Sequence, residues 1–170
     1  MSRFLRISAT MLLLAVVAVV FSACGGSDQQ SAAPPAPGAT STSKAAISAN
    51  KPESLIGTVI SPTDESPKDF RSSLASNRPV VVLFYMTGTT DDNQVRSSIQ
   101  SLQNRYKGNV DFYVYLYTDA EGYGDLASLL KVDSPPSVIM INKHRQVQRA
   151  WSGFVDEKSL EQGVSEIMRG

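Results

Sequence analysis

The chain has 170 residues, with 16 basic side chains against 16 acidic ones and a single histidine. No basic patch marks it for nucleic acid and no charge run marks a tail. Its one cysteine, Cys24, leaves everything after it without thiols. At the N-terminus Arg3 and Arg6 precede an unbroken apolar run from Met11 to Phe21, and small residues Ser22 and Ala23 lead into Cys24. A bilayer-spanning helix needs about 20 apolar residues. The shorter run is therefore expected to be a secretory signal rather than a permanent span.

The sequence FSAC followed by Gly25-Gly26-Ser27 resembles the lipobox of bacterial lipoproteins, with Phe21 where leucine is usual. The resemblance implies that residues 1–23 are removed, and that Cys24 is acylated and becomes the new N-terminus. The other reading of the same residues is an ordinary signal peptide with an incidental cysteine. Losing Arg3 and Arg6 with the leader gives the remainder a slight acidic excess. Stable anchoring takes more than one acyl chain, a requirement that a multiply acylated Cys24 would meet. From Gly25 to Asn50, 20 of 26 residues are Gly, Ala, Ser, Thr or Pro, and Ile47 is the single large apolar side chain. Such a stretch cannot bury enough surface to offset ordering. Residues 24–54 are thus expected to form an anchor and flexible linker, with an end-to-end distance on the order of 30 Å. Residues 55–170 are expected to form one domain.

Within the domain, Pro67 to Ser76 is predicted as a short helix, with Phe70 and Leu74 on one face. Pro79 to Tyr85 (PVVVLFY) reads as a strand buried on both sides. The TGTTDDN turn follows. A helix comes next, with Val95, Ile99, Leu102 and Tyr106 on one stripe, Asp91 and Gln94 as a capping box, and Gly108-Asn109 as its end. Val110 to Tyr117 is predicted as a second strand and Asp125 to Val132 as a short helix. Ser137 to Ile141 is the third strand, and Gln146 to Trp151 the fourth after a turn at Asn142 to Arg145. Leu160, Val164 and Ile167 mark a final amphipathic helix. This α-β-α-β-α-β-β-α order predicts an α/β three-layer sandwich around a mixed sheet.

That order, with these breaks, is similar to the thioredoxin fold from Asp69 to Met168. Arg78 to Tyr85 looks like the strand before the thioredoxin active site. Thr87 to Asp92 falls where the family carries Cys-X-X-Cys, and Ser134-Pro135-Pro136-Ser137 matches the cis-proline loop, with Pro136 the counterpart. Gly153 corresponds to a glycine after the last strand. Aligned through Phe84-Tyr85, the two redox cysteines become Thr89 and Asp92, so the thiol exchange reaction is unavailable. Leu83 stands where many thioredoxins carry a buried aspartate. Pro135 has no N–H to pair with a substrate strand, although its carbonyl remains.

The resemblance therefore implies a degenerate site (Thr89, Thr90, Asp91, Asp92), with no catalytic residue, metal or cofactor. Tyr85, Thr89, Pro135 and Pro136 are the expected contacts for a protein or peptide partner. The expected whole is a lipid-anchored protein on the extracytoplasmic face of a bacterial cell membrane, serving as an assembly or holding factor. Two other readings stand beside it. One is enzymatic, with thiol–disulfide exchange on a partner's cysteines or a different chemistry at Thr89 and Asp92. The other is a structural spacer. A threonine nucleophile needs a nearby base, and His144 is placed in a turn distant from Thr89. Two neighbouring carboxylates fall short of the 6–8 oxygens that calcium takes, and helix caps explain them. Tyr117 to Gly124, a loop at the carboxyl end of a strand, is a further candidate.

Overall fold

The computed structural model describes residues 51–170; Cys24, the leader and residues 25–50 lie outside the described residues. Five helices and four strands follow a short 3₁₀ turn at Pro52–Leu55. They are α1 (Lys68–Ala75), β1 (Val80–Tyr85), α2 (Thr90–Arg105), β2 (Asp111–Leu116), α3 (Ala120–Tyr123), α4 (Leu126–Leu129), β3 (Ser137–Ile141), β4 (Val147–Ser152) and α5 (Glu157–Arg169). The sheet order is β2-β1-β3-β4. β1 pairs in parallel with β2 and antiparallel with β3, and β3 pairs antiparallel with β4. A parallel pair needs a crossover, which α2 supplies. The β3-β4 hairpin closes through the turn at Asn142 to Arg145, where the Asn142 carboxamide accepts from the His144 and Gln146 amides.

The unbroken apolar run of β1 is explained by burial on both faces. Val80, Val82 and Phe84 join Phe70, Leu74, Leu126, Leu130, Ile139 and Ile141 on one side of the sheet. Val81 and Leu83 point the other way, toward Val95, Ile99 and Leu102 of α2, Val138 and Met140 of β3, and Leu160, Val164 and Ile167 of α5. Each fully buried branched side chain stabilises the fold by about 1.5–3 kcal/mol relative to exposure. The pinned centre of the sheet is the result. Leu83 is wholly enclosed in the second of these clusters.

Three local expectations are corrected. The stretch expected as a loop from Tyr117 to Gly124 carries the one-turn helix α3, and the short helix expected over Asp125 to Val132 is the single turn α4. Gly124 separates them at φ +55°, where a Cβ would lie 2.1 Å from the Glu65 carbonyl oxygen. Tyr123 does not sit on an open loop: it is buried, and its hydroxyl donates to the Tyr117 carbonyl at 3.0 Å. Third, α2 stops at Arg105, before Gly108, because the Tyr106 carbonyl turns the chain by accepting from the Asn109 and Val110 amides.

The first described residues run back along β4. Glu53 accepts from the Ser152 amide at 2.6 Å, Gly57 donates to Val147 at 2.8 Å, and Ile60 donates to Arg145 at 2.8 Å. Leu55 and Ile60 tuck into the first core cluster. Among the described residues, no helix is long and apolar enough to cross a membrane.

Candidate functional site

The carboxyl end of β1 delivers Tyr85 and Met86 to a turn in which Gly88 adopts φ +102°, a conformation that costs glycine little. Helix α2 begins two residues later, with Thr89 as its N-cap. The Thr89 hydroxyl accepts from the Asp92 amide at 3.1 Å and donates to the Asp92 carboxylate. The other Asp92 oxygen accepts from the Met86 amide at 2.7 Å. Asp92 is only 2% exposed. The capping pair is thus Thr89 with Asp92, not Asp91 with Gln94; Asp91 is exposed in the first turn, where it faces the positive end of the helix dipole. Thr90 is exposed as well. One carboxylate therefore ties the end of β1 to the start of α2, at the two positions that the alignment assigned to thiols.

Opposite this turn, the Pro135–Pro136 peptide bond is cis. Phe84 pairs with Ser137 across β1 and β3, which sets Pro136 beside Tyr85 at the sheet end. The loop is held from two sides. The Ser137 hydroxyl donates to the Ser134 carbonyl at 2.6 Å, and the Gly153 amide donates to the Pro136 carbonyl at 2.7 Å. Pro136 is buried and Pro135 half-buried. The Arg96 guanidinium lies over the Tyr85 ring at 4.8 Å from its centroid, a favourable contact between a cation and a ring face. Flanking the loop, Met86 is 37% exposed and Phe154 53%. Tyr85, Thr89, Pro135 and Pro136 are therefore brought to one end of the sheet.

Chemically, the Thr89 hydroxyl and the Asp92 carboxylate are engaged with each other and with backbone. His144 is exposed in the hairpin turn at the opposite end of the sheet, where Val80 pairs with Ile141. It cannot serve Thr89 as a base. Among the described residues, no three His, Cys, Asp or Glu side chains converge as a metal set. The acid-to-hydroxyl bond was the feature missed from sequence, and its signal was a Thr-X-X-Asp spacing read two residues late.

Beside β1 lies an aromatic cluster. Phe84 meets Tyr123 edge-on at 5.2 Å between centroids, and Tyr113 stacks with Tyr115 at 6.3 Å. Burial pushes the Tyr115 phenol up to about 12. Tyr113 is also raised, by burial first, while its hydroxyl meets Ser73 at 2.8 Å. The Arg78 guanidinium grips Asp111 through two hydrogen bonds of 2.7 and 2.8 Å, and these bonds raise its pKa.

No family model matches the sequence, and no curated protein matches it. Solved structures do match. A Chlorobium tepidum protein assigned as thiol:disulfide interchange protein DsbE aligns over 67% of this chain and 99% of its own, at 16% identity and a TM-score of 0.53. Chloroplastic thioredoxin z aligns over 62% of this chain and 92% of its own, at 18% identity and a TM-score of 0.49. Mitochondrial thioredoxin 3 from Saccharomyces cerevisiae aligns over 58% and 87%, at 22% identity and 0.47. The fold is thioredoxin-like, a mixed four-stranded sheet between helical layers. Fold alone does not carry an activity across.

Proposed function

We propose that the protein is a lipoprotein anchored through Cys24 on the extracytoplasmic side of a bacterial membrane. Its thioredoxin-like domain holds an extended polypeptide partner and performs no dithiol chemistry. The observation that carries this reading is the closed hydrogen-bond set of Thr89, Asp92 and Met86 beside a cis Pro135–Pro136 loop. Where exchange chemistry would need thiols, this chain has a helix cap, which stiffens the loop and offers no electrons. The neighbouring surface supports polypeptide binding. Met86 and Phe154 expose apolar side chains to either side, and the Pro135 carbonyl accepts no hydrogen bond among the described residues. An extended segment could donate one amide there and rest side chains on the flanking pair.

The test is a titration of the full chain in detergent with a fluorescent, reduced and carboxymethylated unfolded polypeptide. Met86→Ser with Phe154→Ser should weaken binding by about tenfold, as expected for losing about 1.4 kcal/mol of contact. Equal binding by the double variant would remove the reading. Disulfide-reductase turnover that disappears in Thr89→Ala or Asp92→Ala would favour the enzymatic alternative. An N-terminal peptide beginning at Cys24 with added acyl mass is expected; a leader left intact or cut elsewhere would remove the anchor.

A further inference from the structure

The far edge of the sheet, distant from the candidate site, carries a surface of its own. β2 is an edge strand, and its outer side pairs with nothing among the described residues. The Asp111 and Tyr117 amides donate inward, to the Pro79 and Tyr85 carbonyls. By the alternation of a strand, the amides and carbonyls of Phe112, Val114 and Leu116 therefore point outward. All six residues of β2 are half-buried, whereas β1 is buried up to its last residue. Edge strands are usually protected by charge, proline, a bulge or a covering element. Phe112 to Leu116 (FYVYL) has no charge, proline or glycine, and its register with β1 runs without a bulge. Nor do the helices close over it: a cleft of about 500 Å³ opens along its first half, between Asp69 and Ser72 of α1 and Gln103 of α2.

We propose that β2 pairs with β2 of a second copy, antiparallel about a twofold axis at Val114, giving a continuous eight-stranded sheet. The strand is self-complementary in that register. Val114 faces its own copy, Phe112 faces Leu116 and Tyr113 faces Tyr115. These are aromatic and branched pairs of the kind that stabilise sheets, with no like charges opposed. Asp111, the one acid of the strand, is already held by Arg78. The flanks also suit an antiparallel partner. Lys107 lies before the strand and Asp119 and Glu121 after it, so the twofold brings opposite charges toward each other. The chain's own leading segment is a poorer occupant. It joins the domain at Pro52 beside β4, the opposite edge, and residues 25–50 are rich in small residues and proline.

The test is cysteine trapping in membranes containing the full chain. Val114→Cys should give a covalent dimer under mild oxidation. In a hydrogen-bonded antiparallel pair the facing Cα atoms are about 5.5 Å apart, within the range a disulfide spans. Phe112→Cys or Leu116→Cys alone should cross-link about tenfold less, yet the two mixed should cross-link efficiently, because only unlike positions then face each other. The unsubstituted chain controls for Cys24. Val114→Lys, which sets like charges face to face, should sediment in detergent as a single copy with native circular dichroism. The proposal is overturned if Val114→Cys gives no more dimer than the control while remaining folded. It is overturned equally if Phe112→Cys pairs with itself as readily, or if the edge is shielded in a monomer by the leading segment.

Discussion

Replacing Asp92 by alanine removes the carboxylate that bonds the end of β1 to the start of α2, and its cost can be worked from the contacts. Two bonds disappear, one from the Met86 amide and one from the Thr89 hydroxyl. A buried donor left without a partner costs about 1–3 kcal/mol. The Met86–Asp92 bond is only part-buried, so water can reach some of that amide and the lower half of the range applies. Thr89 can still cap the helix through the residue-92 amide but loses its own acceptor, which adds less than the ~1 kcal/mol of a whole cap. The expected loss is about 2 kcal/mol, read as a shift of the urea midpoint with unchanged slope. Asp92→Asn keeps an acceptor for the Met86 amide and should lose under ~1 kcal/mol. Thr89→Ala combined with Asp92→Ala should be less than additive by about 0.5–1 kcal/mol. Strict additivity, or a loss below ~0.5 kcal/mol for Asp92→Ala, would refute the claim that this pair clasps the loop.

Installing Thr89→Cys with Asp92→Cys should give a disulfide that reductant opens, measured by thiol counting before and after denaturation; thiols that stay free under oxidation would contradict the N-cap geometry. The Tyr115 phenol, raised by burial from 10.0 to about 12, contributes stability that is complete below pH ~10 and is lost as pH rises through ~12; because solvent screens this half-buried group, the loss is about 1 kcal/mol. Tyr115→Phe should flatten the alkaline limb of stability against pH, and an unchanged limb would place the titration elsewhere. Glu53→Ala should speed amide exchange at Ser152 by about tenfold while leaving Val82 unaffected. Equal acceleration at both would mean that the leading segment opens only with the whole domain.

The sheet and its core were legible because their signals are redundant. PVVVLFY can satisfy its backbone and bury both faces only as a central strand. The 4-3-4 spacing of Val95, Ile99, Leu102 and Tyr106 can line only one face of a helix. Pro136 was legible only through the resemblance of Ser134-Pro135-Pro136-Ser137 to the cis-proline loop, and the register of Ser137 with Phe84 shows where that loop lands. The cap was read two residues late because Asp91-X-X-Gln94 and Thr89-X-X-Asp92 are both acceptable cap spacings. Burial of Asp92 decides between them, and burial is a tertiary fact. The open edge of β2 was likewise out of reach. Alternation shows that a strand has two faces, but not which neighbours it finds. The route of Glu53 to Ile60 along β4, rather than β2, is set by contacts nearly one hundred residues apart in sequence, of which Glu53 with Ser152 is one.

That route has a mechanical consequence. The leading segment runs antiparallel to β4, from Glu53 at Ser152 to Ile60 at Arg145. Tension that lifts Lys51 away from β4 would therefore load its bonds one after another, first Glu53 with Ser152, then Gly57 with Val147, then Ile60 with Arg145. Bonds loaded one at a time break singly and at low force, while bonds loaded side by side must break together. The first to break sits next to Gly153, whose amide holds the Pro136 carbonyl. A pull at Lys51 would thus slacken the rim of the cis-proline loop before it disturbed the central strand. In a chain held through Cys24 as proposed, this segment would act as a mechanical fuse beside the proposed binding edge.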